Sequence, residues 1–178
     1  MNPEERTPPE ARPSWHAESV DLELADTRES DLEQVLELEA DPDVAPWIAP
    51  WSRERHTRAI RERDEAHLRF VDAGGFAGFC LLAGLNDPSG SIELRRLALC
   101  RRGEGLGRHA LALVLAHIFV KAGARRVWLD VVPANARAIR LYERAGFDSD
   151  GLTAATHLLP DGSFSPLRLM SISAPESH

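Results

Sequence analysis

The stretch Ser91–Phe119, SIELRRLALCRRGEGLGRHALALVLAHIF, decides the fold. Its first ten residues are apolar and β-prone, with Ile92, Leu94, Leu97, Ala98, Leu99 and Cys100, and read as a buried strand. A basic, glycine-rich turn follows, Arg101-Arg102-Gly103-Glu104-Gly105-Leu106-Gly107. Beyond it the apolar pattern turns helical, with Ala110, Leu113, Val114 and His117 on one face. A strand that passes through glycines into a helix presents unpaired backbone N–H groups at a positive helix end. That is an anion site, most often one for phosphate. Glycine suits it because no side chain blocks close approach and a positive φ is allowed. Arg101, Arg102 and Arg108 add counter-charge.

Two nucleotide-type patterns fit this turn. Gly105-Leu106-Gly107-Arg108-His109-Ala110 satisfies G-x-G-x-x-(G/A), the dinucleotide fingerprint of NAD-type oxidoreductases. That fingerprint wants an acidic residue closing the second strand about 20 residues on. Asp130 is the candidate, but it sits inside Trp128-Leu129-Asp130-Val131-Val132 rather than at its end. The other pattern is (Gln/Arg)-x-x-Gly-x-(Gly/Ala), met by Arg102, Gly105 and Gly107.

The 178 residues fit one domain with a proper core, and 43% hydrophobic with 28% charged residues is an ordinary globular composition. No apolar run approaches a membrane span and Met1–Ala11 is polar, so neither a membrane segment nor a signal peptide is expected. Cys80 and Cys100 both fall in apolar strand patterns, which predicts two buried free thiols and a cytoplasmic protein. A net charge of −7 argues against nucleic-acid binding. Acidic residues crowd Asp26–Asp43, where Arg28 is the only base. They read as a solvated helix face or as an attractor for a cationic acceptor.

In chain order, residues 1–19 form a Pro-rich arm, expected to be flexible, ahead of a domain over 20–173 and a tail over 174–178. Val20–Leu24 alternates as an edge-like strand. Thr27 or Ser30 can cap a helix to Ala40, and Ser52 a second helix to Asp64. Between them lie Trp47 and Trp51, either core plugs or walls of an acceptor pocket. His67–Asp72 and Phe76–Leu85 pair as a hairpin through Gly74-Gly75. Gly123 ends the long helix, Arg126–Val132 is a strand, and Asn135–Ala145 is a short helix closed by Gly146. Leu152–Leu159 and Leu167–Ile172 form a last hairpin. The strand–helix–strand unit around the glycines makes a parallel pair in an otherwise mostly antiparallel sheet, so the class is α+β. A doubly wound nucleotide fold repeats βαβ units and usually starts with its glycine loop. Here the loop follows three hairpin-linked strands, and the dinucleotide reading fails that test.

Asn135-Ala136-Arg137-Ala138-Ile139-Arg140-Leu141-Tyr142-Glu143-Arg144-Ala145-Gly146-Phe147 is similar to the second signature of the GNAT superfamily, an Asn followed by A-x-x-L-Y-x-x-x-G-F. With the Arg102 loop upstream, the chain resembles acyl-CoA-dependent N-acetyltransferases from about Val20 to Ile172. The resemblance implies a single GNAT-like domain whose fourth and fifth strands splay apart around pantetheine. It places the CoA pyrophosphate on the backbone of Arg102, Gly103, Gly105, Gly107 and Arg108. Leu97 and Leu99 would bond the pantetheine arm, with a bulge there as an option. Asn135 would bond cofactor near the splay, while Arg137 and Arg140 would meet its outer phosphates or stand solvated.

An amine attacking a thioester must be neutral, the developing oxyanion needs donors, and the leaving thiolate needs a proton. By resemblance Tyr142, the only tyrosine, is the general acid, and Glu93 is the base or acts through water. Arg95 shares the face of Glu93 on an ideal strand, so an ion pair is the competing reading. Asp130 and His157 are reserves for the base. His109 and His117 lack a convergent third ligand, and no metal site is expected. The expectation is acetyl transfer from acetyl-CoA to a small-molecule or peptide amine in a ternary complex. A non-catalytic acyl-CoA sensor of the same fold is the alternative, and the NAD-type oxidoreductase a remote one. The family often dimerises, so a homodimer is expected, with no nucleic-acid or membrane partner.

Overall fold

The computed structural model describes residues 21–103 and 105–175. The expected N-terminal arm, Val20, Glu104 and residues 176–178 of the tail lie outside them. The elements are β1 (Glu23–Asp26), α1 (Leu32–Glu39), α2 (Arg53–Arg61), β2 (Glu65–Asp72), β3 (Gly75–Ala83), β4 (Ser91–Leu99), α3 (Leu106–Ala116), β5 (Arg126–Val131), α4 (Ala136–Arg144), β6 (Asp148–Leu158) and β7 (Phe164–Ser173). The described strands form one sheet in the order β1-β2-β3-β4-β5-β7-β6. Its one parallel pair among them is β4·β5, flanked by antiparallel pairs on both sides. No helix among the described residues is long and apolar enough to cross a membrane.

Helices cover both faces. On one, α3 with the π turn after it buries Ala110, Leu111, Val114, Leu115 and Ile118 against Leu68, Phe70, Cys80, Leu82, Ile92 and Leu94. The expected stripe through Leu113 and His117 is therefore rotated: both are half-buried at its rim. Each fully buried leucine there contributes about 2 kcal/mol of burial free energy. On the other face α1 packs Leu32, Val35 and Leu38 onto Phe79 and Ala98. The helix of α3 closes in a π turn over His117–Lys121, with Ala122 N donating to His117 O at 2.9 Å.

Two departures shape the site. In β4, Leu81 of β3 faces Arg96 while Leu82 faces Leu94, so Arg95 is the extra residue of a bulge. The bulge lies upstream of Leu97–Leu99, where it was expected. It reverses the alternation, so that Ile92 and Leu94 face the α3 core before it, and Leu97 and Leu99 after it. Arg96 and Ala98 then turn to the α1 face. Secondly, β4 and β5 pair only through Ser91–Glu93 with Arg126–Trp128, whereas β5 pairs with β7 along its whole length. Beyond Glu93 the two strands splay.

Other local expectations shift. The first strand begins at Glu23 rather than Val20, and α2 ends at Arg61 rather than Asp64. Ser52 does cap α2, accepting from Arg55 N at 3.2 Å. Neither Thr27 nor Ser30 caps the first helix. A 3-10 turn over Glu29–Asp31 precedes it, in which Arg28 N donates to Asp31 Oδ2 at 2.7 Å. Cys80 is buried as expected, but Cys100 is exposed because it lies one residue past the end of β4.

A buried polar chain ties α1, α2, β2 and β4 together. Arg96 Nη1 donates to Glu39 Oε1 at 2.7 Å, and Glu39 Oε2 lies 3.2 Å from His56 Nε2. His56 Nδ1 lies 3.0 Å from His67 Nε2, and His67 Nδ1 lies 3.0 Å from Thr27 Oγ1. Every ring nitrogen of the chain has a partner: Thr27 Oγ1 donates to His67 Nδ1, His67 Nε2 to His56 Nδ1, and His56 Nε2 to Glu39. Burial, helped by His56, pushes the His67 imidazole down to about 4 from its ordinary 6.5. Burial works to raise the Glu39 carboxyl, but bonds from His56 and Trp51 N and the Arg96 charge hold it low.

Because the unfolded chain protonates His67 near 6.5 and the folded chain only near 4, its contribution is present above pH 6.5 and is lost on descent to 4. The loss from this group amounts to about 3 kcal/mol. Urea unfolding from pH 7 to 4 should therefore show the wild type losing stability faster than His67→Gln. Parallel curves would refute the burial of a neutral imidazole.

Candidate active site

The splay opens one cleft of about 1700 Å³ between β4, β5, α3 and α4. At one end stands the glycine turn. Gly103 has φ +92° and Gly105 φ +72°, the latter capping α3 in the left-handed region that glycine adopts without strain. His109 N makes the first helical bond, to Gly105 O at 3.2 Å. The amides of Gly107 and Arg108 precede it, within the first turn, and have no intrahelical acceptor. Gly107 is ordinary helix, and a Cβ there would meet Leu141 at an unstrained 3.5 Å. The fold itself therefore does not require glycine at 107, but an anion lying on the helix end would. Gly103, Gly105 and Gly107 all line the cleft, as does Arg108. The turn thus fits a pyrophosphate.

Arg102 lines the cleft too, but its guanidinium is drawn to Asp43, and lies 3.8 Å from Asp41. Arg101 pairs with Asp72 instead. Part of the acidic stretch once read as a helix face is thus a counter-ion to this turn. Along the cleft run Leu97 and Leu99. Their strand has no β5 partner beyond Glu93, which leaves backbone groups on that edge facing the gap. Asn135 lines the opposite wall and caps α4, its Oδ1 accepting from Ala138 N at 3.2 Å. Arg137 and Arg140 border the same opening from exposed positions on α4.

At the splay the cleft brings together Glu93, Asp130, Tyr142 and His157. Burial alternates along β5, with Val127, Leu129 and Val131 inside, so Trp128 and Asp130 share the other face. Burial, then the charge of Glu93, raises the Asp130 carboxyl, against Arg95 and His157. Burial, then Asp130, pushes the Tyr142 phenol up to about 12. Its ring is tilted against Phe147 at 5.6 Å between centroids. His157 Nε2 is held 2.9 Å from Pro46 O. Glu93 does form the ion pair that competes with a role as base: Arg95 Nη2 and Nε approach its Oε2 at 2.6 and 3.0 Å.

Trp47 and Trp51 line the outer part of the cleft. Trp51 is neither a plain core plug nor a free wall. Its ring is stacked between the guanidiniums of Arg55 at 3.9 Å and Arg96 at 4.0 Å, and its N donates to Glu39 Oε2 at 2.9 Å. No local signal marks Arg55, Arg96, Glu39, His56, His67 or Glu65, since each meets its partners from a different element. The bulge was readable: the apolar phase steps from Ile92 and Leu94 to Leu97 and Leu99 across two arginines.

These features define an acyl-CoA-type transferase fold, and comparison agrees. The family model described as "Acetyltransferase (GNAT) domain" matches residues 21–148. This chain belongs to the GNAT acetyltransferase family. It is 38% identical over 102 residues to the mycothiol acetyltransferase of Corynebacterium efficiens, covering 54% of this chain and 33% of that one. It is 32% identical over 84 residues to the spermine/spermidine N(1)-acetyltransferase of Bacillus subtilis, covering 45% and 55%. The chain thus spans only a third to about half of those relatives. An aminoglycoside N(6')-acetyltransferase type 1 of Klebsiella pneumoniae is 30% identical over 149 residues, covering 83% and 66%. In fold, it resembles a Vibrio cholerae spermidine N-acetyltransferase solved with CoA and spermine, at a TM-score of 0.77, 21% identity, and 86% and 95% coverage.

Replacing Gly107 with alanine should separate fold from ligand. Gly107→Ala should stabilise the chain by about 0.5–1 kcal/mol in urea unfolding, since alanine is the better helix former. It should weaken CoA about tenfold or more in calorimetry. Unaltered CoA affinity would refute the assignment of the glycine turn.

Proposed function

We propose that this chain moves an acetyl group from acetyl-CoA to a cationic amine, a small molecule or peptide, by direct transfer with both substrates in the cleft. The observation that carries the reading is the meeting of Tyr142 with two carboxylates, Glu93 and Asp130, in the cleft that begins at the glycine turn. Acetyl-CoA supplies an activated acyl carbon and a sulfur that leaves as a thiolate. The amides of Arg102 to Arg108 would take the pyrophosphate, the Leu97–Leu99 edge the pantetheine, and the Asn135 amide nitrogen the chain near the splay. Arg137 and Arg140 stand where outer phosphates would emerge.

Two facing carboxylates on one partly desolvated wall favour a cation between them. An amine arrives as ammonium and must lose a proton before it attacks. Glu93 takes that proton, directly or through one water, while Asp130 holds the nitrogen at the splay. Tyr142 Oη gives its proton to the leaving sulfur. Its phenol, raised to about 12, stays protonated throughout the neutral range, as a donor must. The proton shed by the acylated nitrogen restores it. Neither cysteine lines the cleft, and burial drives the Cys80 thiol strongly upward, which supports direct transfer over a covalent enzyme intermediate. The acceptors named for the polyamine and aminoglycoside relatives are polycations, in keeping with this wall.

The reading is tested by thiol release from acetyl-CoA with spermine, spermidine and kanamycin, alongside thermal unfolding with CoA and NADPH. CoA at about 100 times its Kd should raise Tm by several degrees, and NADPH should not. Tyr142→Phe should cut kcat about 100-fold or more while CoA affinity stays within about twofold. A wild-type rate in that variant would remove Tyr142 from the chemistry. CoA binding without thiol release on any amine would favour the sensor.

A further inference from the structure

The ion pair between Glu93 and Arg95 is one step of a longer ladder. Arg95 Nη1 also donates to Glu65 Oε1 on β2 at 2.6 Å. Glu65 is in turn clamped by Arg55 of α2, whose Nη1 and Nη2 reach its two oxygens at 2.8 and 2.5 Å. Arg55 lies over Trp51, and Trp51 over Arg96. The carboxylates are well covered, with side chains 9% exposed at Glu65 and 14% at Glu93, while the guanidiniums of Arg55 and Arg95 are 27% and 32% exposed, so solvent screens the ladder from the arginine side. Signs alternate from Arg55 through Glu65 and Arg95 to Glu93, and the two middle charges, Glu65 and Arg95, are each shared between two neighbours.

We infer that Glu65 and Arg55 are positioning residues for the acyl transfer, setting through Arg95 how strongly the Glu93 carboxylate can draw a proton from the acceptor amine. The inference rests on the reading of Glu93 as base. Glu65 takes one N–H of Arg95 and shares its charge, which leaves Glu93 less than fully neutralised. Were Glu65 neutral, Arg95 would serve Glu93 alone. Were Arg55 absent, Glu65 would draw harder on Arg95 and release Glu93. The two substitutions therefore act in opposite directions. Asp130 on β5 faces Glu93, and His157 on β6 and Tyr142 on α4 face Asp130 in turn. Arg96 lies behind Arg95, and His67 behind Glu65. None of these is altered in either variant.

The direct test follows the δ-carboxyl carbon signal of Glu93 by NMR across pH, identified as the signal lost in Glu93→Gln. It needs no acceptor. Glu65→Gln, which keeps volume and an oxygen for Arg95, should move the acid midpoint of that signal down by about 0.5–1 pH unit. Arg55→Met, which keeps an aliphatic stem over Trp51, should move it up by a similar amount, about 0.5 pH unit or more. Arg55→Lys should restore the wild-type midpoint. The acid limb of kcat/KM should follow in the same order. A merely structural role would lower Tm in both variants and leave the midpoint in place, or shift it the same way twice; either result overturns the inference. If the midpoints move in opposite directions but Glu93→Gln keeps the wild-type acid limb, the ladder stands and the reading of Glu93 as base falls.

Discussion

One extra residue in β4 governs the rest. A strand in strict alternation would put Arg96 and Ala98 into the α3 core beside Ile92 and Leu94, and an arginine there would carry an unpaired buried charge. The bulge at Arg95 removes that conflict by reversing the faces midway. It sets the neighbouring arginines to different partners near the same face, Arg95 to Glu93 and Glu65, and Arg96 to Glu39. A bulge also bends and twists its strand. Here β4 loses its β5 partner two residues earlier, after Glu93. The residue that sorts the charges and the gap that admits a ligand thus belong to one local irregularity.

The charges so sorted are costly unless fully paired. Arg96 and Glu39 are 8% and 1% exposed, and Ala49 O, Trp51 N and His56 add partners to the pair, leaving only Arg96 Nε without one. The histidines pass the hydrogen-bond direction inward from Thr27, so that Glu39 receives donors only. This fixes the Trp47–Trp51 segment, which has little regular structure of its own, to the sheet. A buried carboxylate behind the outer wall of the cleft holds the Trp51 backbone.

What was legible in the sequence was local. The run Ser91–Phe119 and the short helix after Asn135 carry period, glycine and capping signals within a few residues, and strand, turn and helix all appear where those signals place them. The residues carried over from the family resemblance all line one cleft. The buried polar chain was illegible because its members stand far apart in sequence. Glu39, at the end of an acidic run, looked like one more solvated charge, and only the tertiary approach of Arg96, 57 residues later, makes it a core residue. Cys100 misled in the opposite sense: its apolar neighbours belong to β4, and it sits just past the strand's end.

The cleft is electrically divided, and the division explains why the ladder beyond Glu93 matters. At net charge −7 the chain would repel a polyanionic cofactor at long range, so the proposed capture would depend on the near field of the α3 end with Arg108, Arg137 and Arg140. Arg102 is shared with Asp41 and Asp43. Such exposed pairs are worth about 1 kcal/mol or less, too little to withhold the arginine from a doubly charged pyrophosphate. At the other end carboxylates dominate and suit a cation. Between the two ends Arg95 bridges Glu93 and Glu65, and on the proposed reading of Glu93 as base its full neutralisation by Arg95 would abolish that use. Sharing Arg95 between two carboxylates, one of them already held by Arg55, would meet both demands with the same charge.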